Sequence, residues 1–174
     1  MSLTPPNTSL ELPEGQPAFF AVSPLKLVVM STVTFGIYQL FWFYKNWKLV
    51  KKRTERDIMP FWRAFFGVLF CYSFFCEVQD ETASRGISFP SHPALLAACW
   101  IVLAIMWRLP DPYWFICLLS PLVLVPVQNT TNRLNAVVAP SHDRNARFSG
   151  WNIAGVVIGV ILIVLCVIGT LLPQ

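Results

Sequence analysis

The first long apolar segment and its basic ending constrain the fold of this chain more than any other feature. Residues Leu25 to Tyr44 read LKLVVMSTVTFGIYQLFWFY, and about twenty apolar residues suffice for a helix to cross a bilayer. The residues from Lys45 to Arg56 carry six Lys and Arg side chains against one Glu. Lys and Arg accumulate in the cytoplasmic loops of membrane proteins. We therefore predict a transmembrane helix at about residues 25–44, with the N-terminus outside and the basic segment in the cytoplasm.

The composition of the chain is typical of a helical membrane protein. Hydrophobic residues make up 55% of the chain and charged residues 13%, whereas about a quarter of an ordinary soluble domain is charged. Helices satisfy their own backbone hydrogen bonds in hydrocarbon, and apolar runs such as residues 155–172 lack the alternation of barrel strands. We predict an all-α, polytopic membrane domain over residues 23–174. It has four transmembrane helices plus one aromatic-rich interfacial helix, and five spans are the alternative.

The first twenty-two residues differ from the rest in composition. They open MSLTPPNTSLELPEGQP, a polar, acidic and proline-rich stretch without the basic start of a secretory signal. Such a composition buries too little apolar surface to fold alone. We predict a polar, disordered or extended tail at residues 1–22, so that the first helix serves as both signal and anchor.

A proline-rich turn divides the middle of the chain into a helical hairpin. Two short apolar runs flank Leu109-Pro110-Asp111-Pro112, a sequence that a continuous helix cannot accommodate. Each run is shorter than a full span, so flanking residues complete the predicted spans at about 93–108 and 112–128. The last apolar run is long enough without help and predicts a span at about 151–172.

The segment at residues 61–79 decides the topology. It has charges near both ends, Arg63 and Glu77, so its uncharged stretch is short for a span. If it lies in the inner interface, eleven of the thirteen Lys and Arg residues face the cytoplasm, against eight if it crosses. Its polar residues also fall partly on one helical face. We predict an interfacial helix with a Phe-rich underside, and a fifth span is the alternative.

Basic residues after the first helix are candidate contacts for lipids or partner proteins. Cations near the surface gain about 1 kcal/mol each from the anionic inner leaflet. A guanidinium in the aromatic segment matches a phosphate, although we favour simple snorkelling from an interfacial helix. The basic run is short and tied to the membrane, which argues against nucleic acid as its ligand. The candidate lipid or partner contacts are Lys45, Lys48, Lys51, Lys52, Arg53 and Arg63.

Three amide side chains form a candidate polar stripe. Gln128, Asn132 and Asn135 stand at i, i+4 and i+7, which puts them on one face of a helix that continues past the hairpin. One interpretation is a recognition patch for a headgroup or a small polar solute, with Arg133 beside it. The interpretation we favour is a seam of hydrogen bonds between helices.

Two glycines in the last apolar run have the spacing of a helix-packing motif. Gly155 and Gly159 form a GxxxG sequence, which lets another helix approach closely. We favour packing against the other helices of this chain over a homodimer.

Motifs for catalysis or metal binding are not found in the sequence. The five cysteines lie in apolar segments without a CxxC motif, as expected for small buried hydrophobic residues. His92 and His142 have no second ligand at metal-binding spacing, and no GxSxG, HExxH, Walker or GxGxxG sequence is present. The predicted spans also lack the internal ionisable residues that mark proton pathways. We predict no enzyme activity, cofactor or metal.

Several strings of residues resemble a family of small bacterial membrane proteins. GIY at residues 36–38 and WFYKNWK at 42–48 resemble the opening helix of the DUF4234-like group, whose function is unknown. PFWRAFF at 60–66, NRLN at 132–135 and FSGWN at 148–152 are similar to strings in related bacterial proteins. The resemblance implies a multi-pass protein of the bacterial inner membrane and carries no catalytic residues to transfer.

Three functions fit these features. The one we favour is a structural or regulatory membrane protein that contacts lipids or a partner protein through its basic cytoplasmic face. The alternative is a small oligomeric transporter or channel subunit. A lipid-modifying enzyme, with a site around Arg63, His142, Asp143 and the amide stripe, comes third.

Overall fold

Seven α-helices make up most of the chain between residues 16 and 171, the part that this computed structural model describes. In chain order they are α1 (Pro24–Val33), α2 (Ile37–Thr54), α3 (Pro60–Phe65), α4 (Gly67–Ala83), α5 (Pro93–Ile105), α6 (Ser120–Val138) and α7 (Gly150–Leu171). Two segments of 3-10 helix, Met106–Arg108 and Tyr113–Leu119, flank the turn between α5 and α6. Residues 16–171 contain no strand, and the predicted all-α fold class is confirmed.

The first predicted span is broken in its middle. α1 ends at Val33, and the backbone of Phe35 and Gly36 turns to positive φ, 49° and 88°. The Gly36 N–H donates to the Ser31 carbonyl at 2.8 Å, and such a hydrogen bond closes the kind of helix end that glycine favours. The prediction of one helix across residues 25–44 is therefore wrong, because α1 and α2 are separate helices.

α1 and α2 form a hairpin whose outer ends lie together. Lys52 Nζ, near the end of α2, donates to Gln16 Oε1 at 2.7 Å, and Arg53 Nη1 donates to the Ala18 carbonyl at 2.8 Å. Residue 16 and the basic segment therefore lie at the same end of the bundle. This arrangement contradicts the expectation that the first helix separates the N-terminal side from the basic segment.

Residues 16–22 run as an extended segment before α1, and we call them the strap. The sequence assigned them to a polar tail, but Ala18, Phe19 and Val22 are buried in the core. The apolar run AFFAV at residues 18–22 supplies enough buried surface to hold an extended chain. Residues 1–15 of the predicted tail lie outside the described part of the chain.

The aromatic segment predicted as one helix at residues 61–79 consists of two helices. α3 and α4 meet at Phe66. Arg56, just before α3, pairs with Glu77, in the second half of α4, with 3.1 Å between Nη1 and Oε2. The two helices therefore form a hairpin that starts and ends at the same end of the bundle.

The predicted hairpin in the middle of the chain is present, and the helix of its second arm continues beyond the predicted span. α5 packs against α6, and α6 continues through Pro126 to Val138. This continuation past residue 128 is the one that the spacing of the three amides predicted. Its turns carry Asn132 and Asn135 of the amide stripe.

Two helical stretches in the described residues are long and apolar enough to cross a membrane. They are Tyr113–Val138, which includes a 3-10 segment and α6, and Gly150–Thr170 in α7. The apolar stretches Pro24–Val33 and Pro93–Arg108 are shorter. The prediction of four spans is not confirmed.

α7 runs beside α1 in the same direction. A Cβ added to Gly155 would lie 3.7 Å from Met30 Cε, and one added to Gly159 would lie 2.6 Å from Val33 Cβ. The second distance is too short for any real Cβ, so the two backbones meet at Gly159. The GxxxG motif packs against a helix of its own chain, which is the packing that we favoured from the sequence.

One end of the bundle collects basic side chains, and we call it the basic end. It contains Gln16, the last turns of α2, the second half of α4 and the loop between α6 and α7, residues 139–149. Lys26 also reaches this end, because its Nζ donates to Asn145 Oδ1 and to the Arg147 carbonyl, both at 2.8 Å. The turns between α1 and α2 and between α5 and α6 form the opposite end, the turn end.

Aromatic rings fill the core between the strap, α2 and α4. Phe74 lies at their centre and packs edge-on, with centroids 5.3 to 5.9 Å apart, against the rings of Phe19, Trp42, Phe43 and Trp47. Such pairs contribute about 0.5–1.5 kcal/mol each beyond their burial. The cluster therefore fixes α4 against the strap and α2.

Candidate functional site

The amide stripe of α6 faces the strap. Asn135 binds both backbone groups of Phe19: its Oδ1 accepts from the N–H at 3.1 Å, and its Nδ2 donates to the carbonyl at 2.8 Å. Gln128 Nε2 donates to the Phe20 carbonyl at 3.1 Å, and Asn132 Nδ2 donates to the Val22 carbonyl at 2.9 Å. A buried extended chain needs such partners because it has no neighbouring strand. The stripe is therefore a hydrogen-bonded seam, whose partners are mainly the backbone of the strap and, at Gln128, a side chain of a second helix.

Two polar side chains on α2 complete this framework. Asn46 Oδ1 accepts from the Phe20 N–H at 3.0 Å, and Trp42 Nε1 donates to Gln128 Oε1 at 2.6 Å. Gln128, Asn135 and Asn46 are buried, whereas Asn132 is half-buried and lines a pocket.

A second buried polar contact lies nearer the turn end. Gln39 Nε2 donates to Ser120 Oγ at 3.0 Å, and Gln39 Oε1 accepts from Trp100 Nε1 at 2.7 Å. The contact joins α2, α5 and α6. It was missed from the sequence, although a glutamine inside an apolar run indicates a polar partner within the bundle.

Arg53 was predicted as a lipid or partner contact, and it lies inside the protein. Its Nε is 3.4 Å from Glu81 Oε2, its Nη2 is 3.6 Å from Glu77 Oε1, and its guanidinium carbon is 4.7 Å from the ring centroid of Phe19. Burial lowers the pKa of Arg53, while the charges of Glu81 and Glu77 raise it. The side chain thus links α2 to α4 and to the strap. Because it is buried by these contacts, it is not placed to bind a lipid headgroup.

Arg63 packs on the protein's own aromatic rings. Its guanidinium carbon lies 4.6 Å from the ring centroid of Trp47 and 5.2 Å from that of Phe70. Guanidinium groups bind aromatic faces by cation–π attraction. Its predicted contact with a lipid phosphate stays a prediction, and Arg63 is not among the residues that line the groove described next.

Four of the predicted contact lysines line one groove at the basic end, which we call the lysine groove. It has a volume of about 740 Å³. The strap and α2 form its floor, and the loop at residues 139–149 forms one wall. The lining residues are Gln16, Pro17, Phe20, Ala21, Lys45, Lys48, Leu49, Lys51, Lys52, Asp143 and Asn145.

The chemistry of the lysine groove suits an anionic group attached to an apolar chain. Ammonium groups attract anions as point charges, while Phe20 and Leu49 offer apolar surface below them. Among the described residues, Asp143 is the one acidic side chain that lines the groove. Because lysine donors rotate freely, such a groove selects charge more than headgroup shape.

Lys26 holds the loop that walls the groove. Lys26 is 4% exposed, and its ammonium binds Asn145 and Arg147, as described above. A buried cation needs such acceptors, because desolvation without them is costly. The sequence signal was a lysine inside an apolar run, which indicates a partner within the fold.

Side chains that could bind a metal ion are dispersed within the described residues. No cluster of three or more His, Cys, Asp or Glu side chains that could hold a metal occurs there, and the five cysteines are free thiols.

Comparisons with models of known families, with curated proteins and with solved structures found no match to this chain. The resemblance to the DUF4234-like group stays a prediction, as do the bacterial origin and the membrane that it implies.

Proposed function

We propose that this protein is an integral membrane protein with a structural or regulatory role, which it performs by binding anionic lipid at its cytoplasmic surface. The observation that carries the proposal is the lysine groove. Four lysines line an apolar floor there together with Asp143, and the Lys51 ammonium also lies 3.6 Å from the Asp57 carboxylate. We assign the groove to binding, because lysines beside an apolar surface attract an anionic group attached to an apolar chain.

Electrostatic attraction gives the groove its preference for anionic lipid. Each cation near an anionic leaflet contributes about 1 kcal/mol. Four lysines thus favour an anionic over a zwitterionic headgroup by at most about 4 kcal/mol, less what Asp143 offsets. An acyl chain can continue from the groove along the apolar surface of Phe20 and Leu49.

The proposed orientation puts the basic end in the cytoplasm. The positive-inside rule supports it, since lysines and arginines from distant parts of the chain meet at that end. Residue 16 then lies on the cytoplasmic side, and α7 crosses to the outside. The α3–α4 hairpin enters the membrane from the cytoplasmic side and returns, with the exposed rings of Phe61, Trp62, Phe65 and Phe66 in lipid.

Lipid enrichment tests the binding proposal. We would reconstitute the protein from equal amounts of phosphatidylglycerol and phosphatidylcholine, and then measure by mass spectrometry the lipids that stay bound. Replacing two groove lysines, Lys48→Gln and Lys52→Gln, is expected to reduce the preference for phosphatidylglycerol about tenfold. The matched control is Arg85→Gln with Arg108→Gln, which removes two exposed charges elsewhere. An equal reduction in both variants contradicts a specific groove.

Cysteine labelling tests the orientation. In a variant without the five natural cysteines, we would introduce Arg85→Cys, Asp111→Cys or Asp143→Cys singly and add a maleimide that does not cross membranes. Only the Asp111→Cys variant is expected to react from outside, because Asp111 lies at the turn end. Reaction of the Arg85→Cys variant from outside would show that the aromatic segment spans the membrane.

A further inference from the structure

A second basic pocket lies on the other side of the 139–149 loop from the lysine groove. Its volume is about 540 Å³. Successive residues of the loop alternate between the two sites: Asp143 and Asn145 line the groove, whereas His142 and Arg144 line the pocket. The full lining is Ser23, Pro24, Asn129, Asn132, Arg133, Ala136, His142, Arg144 and Ala146.

The charges of this pocket are of one sign. Arg133 and Arg144 are both exposed, and within residues 16–171 neither guanidinium has an ion pair or a hydrogen bond. No acidic side chain is among the described residues that line the pocket, in contrast to Asp143 in the groove. Two unpaired guanidinium groups beside one cavity favour a ligand with several anionic oxygens, because each can bind two oxygens at once.

The start of α1 adds further donors to the same pocket. Ser23 caps this ten-residue helix, and its Oγ accepts from the Lys26 N–H at 3.2 Å. The hydroxyl hydrogen of Ser23 is left to donate to a ligand. The N-terminus of a helix carries partial positive charge, so the helix and both arginines attract the same kind of ligand.

His142 has a fixed orientation at the pocket wall. Its Nδ1 lies 2.6 Å from the Ala139 carbonyl. A carbonyl only accepts, so Nδ1 carries the hydrogen and Nε2 is the nitrogen left for other contacts. The amide of Asn132 is already engaged with Val22 and Gln128, and we assign it to the wall of the pocket and not to the ligand.

We propose that this pocket binds a phosphate group, held by Arg133, Arg144 and the Ser23 hydroxyl. The phosphate belongs either to a lipid headgroup or to a free phosphate. This site differs from the lysine groove in its residues and in its geometry, because guanidinium groups recognise the shape of a phosphate as well as its charge. Substitutions in the lining of one site leave the lining residues of the other unchanged.

Calorimetric titration tests the proposal. The full chain in an uncharged detergent is titrated with inorganic phosphate and, separately, with dihexanoyl phosphatidic acid. We expect the double variant Arg133→Gln, Arg144→Gln to weaken the affinity for at least one of the two ligands by about tenfold or more. The control variants Arg85→Gln and Arg108→Gln, made singly and together, remove exposed charges elsewhere and are expected to keep that affinity.

The two ligands distinguish the source of the phosphate. Binding of phosphatidic acid alone identifies a lipid headgroup, whereas equal binding of inorganic phosphate identifies the free ion, and both results support the site. The proposal is overturned if neither ligand binds, or if the control variants lose as much affinity as the pocket variant. Because both arginines are exposed, an unchanged unfolding temperature of the pocket variant is the expected check on folding.

Discussion

The last helix and the six-helix bundle before it meet their surroundings in opposite ways. α7 has 22 residues, about 33 Å of helix, and only 6% of its most apolar window is buried. α1 has 10 residues, about 15 Å of helix, and the bundle around it buries amides, a lysine and an arginine. The backbone groups of α7 form their hydrogen bonds within the helix. The extended strap in the bundle cannot do this and needs partners from other elements. The comparison teaches that side-chain amides let non-helical backbone lie inside an otherwise apolar helical protein.

The largest loss of stability is expected from the contact between α6 and the strap. Asn135→Leu keeps the volume of the side chain but leaves the N–H and the carbonyl of Phe19 buried without partners. Each unpaired group costs about 1–3 kcal/mol, so we expect the free energy of unfolding to fall by about 4 kcal/mol. Denaturant titration in detergent micelles measures it. Asn129→Leu, an exposed position on the same helix, is the control, and a similar loss there would contradict the role of the seam.

A somewhat smaller loss is expected when the ion pairs of Arg53 are removed. Arg53→Met takes away the donor to the Ala18 carbonyl and leaves Glu77 and Glu81 without their shared cation. Breaking a buried pair costs about 3 kcal/mol. The same titration measures the change. Asp57→Asn, which removes a fully exposed partner of Lys51, should leave the titration curve where it is, and the interpretation fails if the two variants behave alike.

The junction between α7 and the bundle depends on one glycine. Gly159→Ala inserts a Cβ against the backbone of Val33, and overpacking of this kind costs about 2 kcal/mol. Gly169→Ala meets no atom within 4 Å and is expected to be neutral or stabilising by up to about 1 kcal/mol. Unfolding of both variants in micelles measures the difference. If Gly159→Ala is as stable as Gly169→Ala, α7 does not pack on α1 through this residue.

The smallest effect is expected on the exposed face of α7. Leu165 is 58% exposed, so Leu165→Ala should change the free energy of unfolding by less than about 0.5 kcal/mol. Leu134→Ala, at a fully buried position of α6, should cost about 2–5 kcal/mol. Comparable losses would mean that α7 is covered by a further element or by a second copy of the chain.

The features that depend on local sequence could be predicted. Apolar length predicts α7, the prolines after Leu109 predict the turn between α5 and α6, and spacing puts Gln128, Asn132 and Asn135 on one face. The break at Gly36 could not be predicted by hydropathy, because a glycine within an apolar run leaves the average unchanged. Only the positive φ of residues 35 and 36 distinguishes this turn from a span.

The candidate site was predictable only on the side formed by α2. Lys45, Lys48, Lys51 and Lys52 stand close together in the sequence, but the opposite wall comes from Asp143 and Asn145, about ninety residues further on. The partners of the amide stripe are equally remote, since Asn135 and Phe19 are 116 residues apart. Neither pairing can be recognised from a pattern of neighbouring residues in the sequence.

That separation in sequence sets an order of events during synthesis. The strap leaves the ribosome before any other described residue, whereas Asn135 follows 116 residues later, a delay on the order of ten seconds at ordinary translation rates. α1 to α5 are therefore made while the backbone of Phe19 still awaits its partner on α6. The strap can contact α2 as soon as that helix is made, but its backbone completes its hydrogen bonds only after α6 follows.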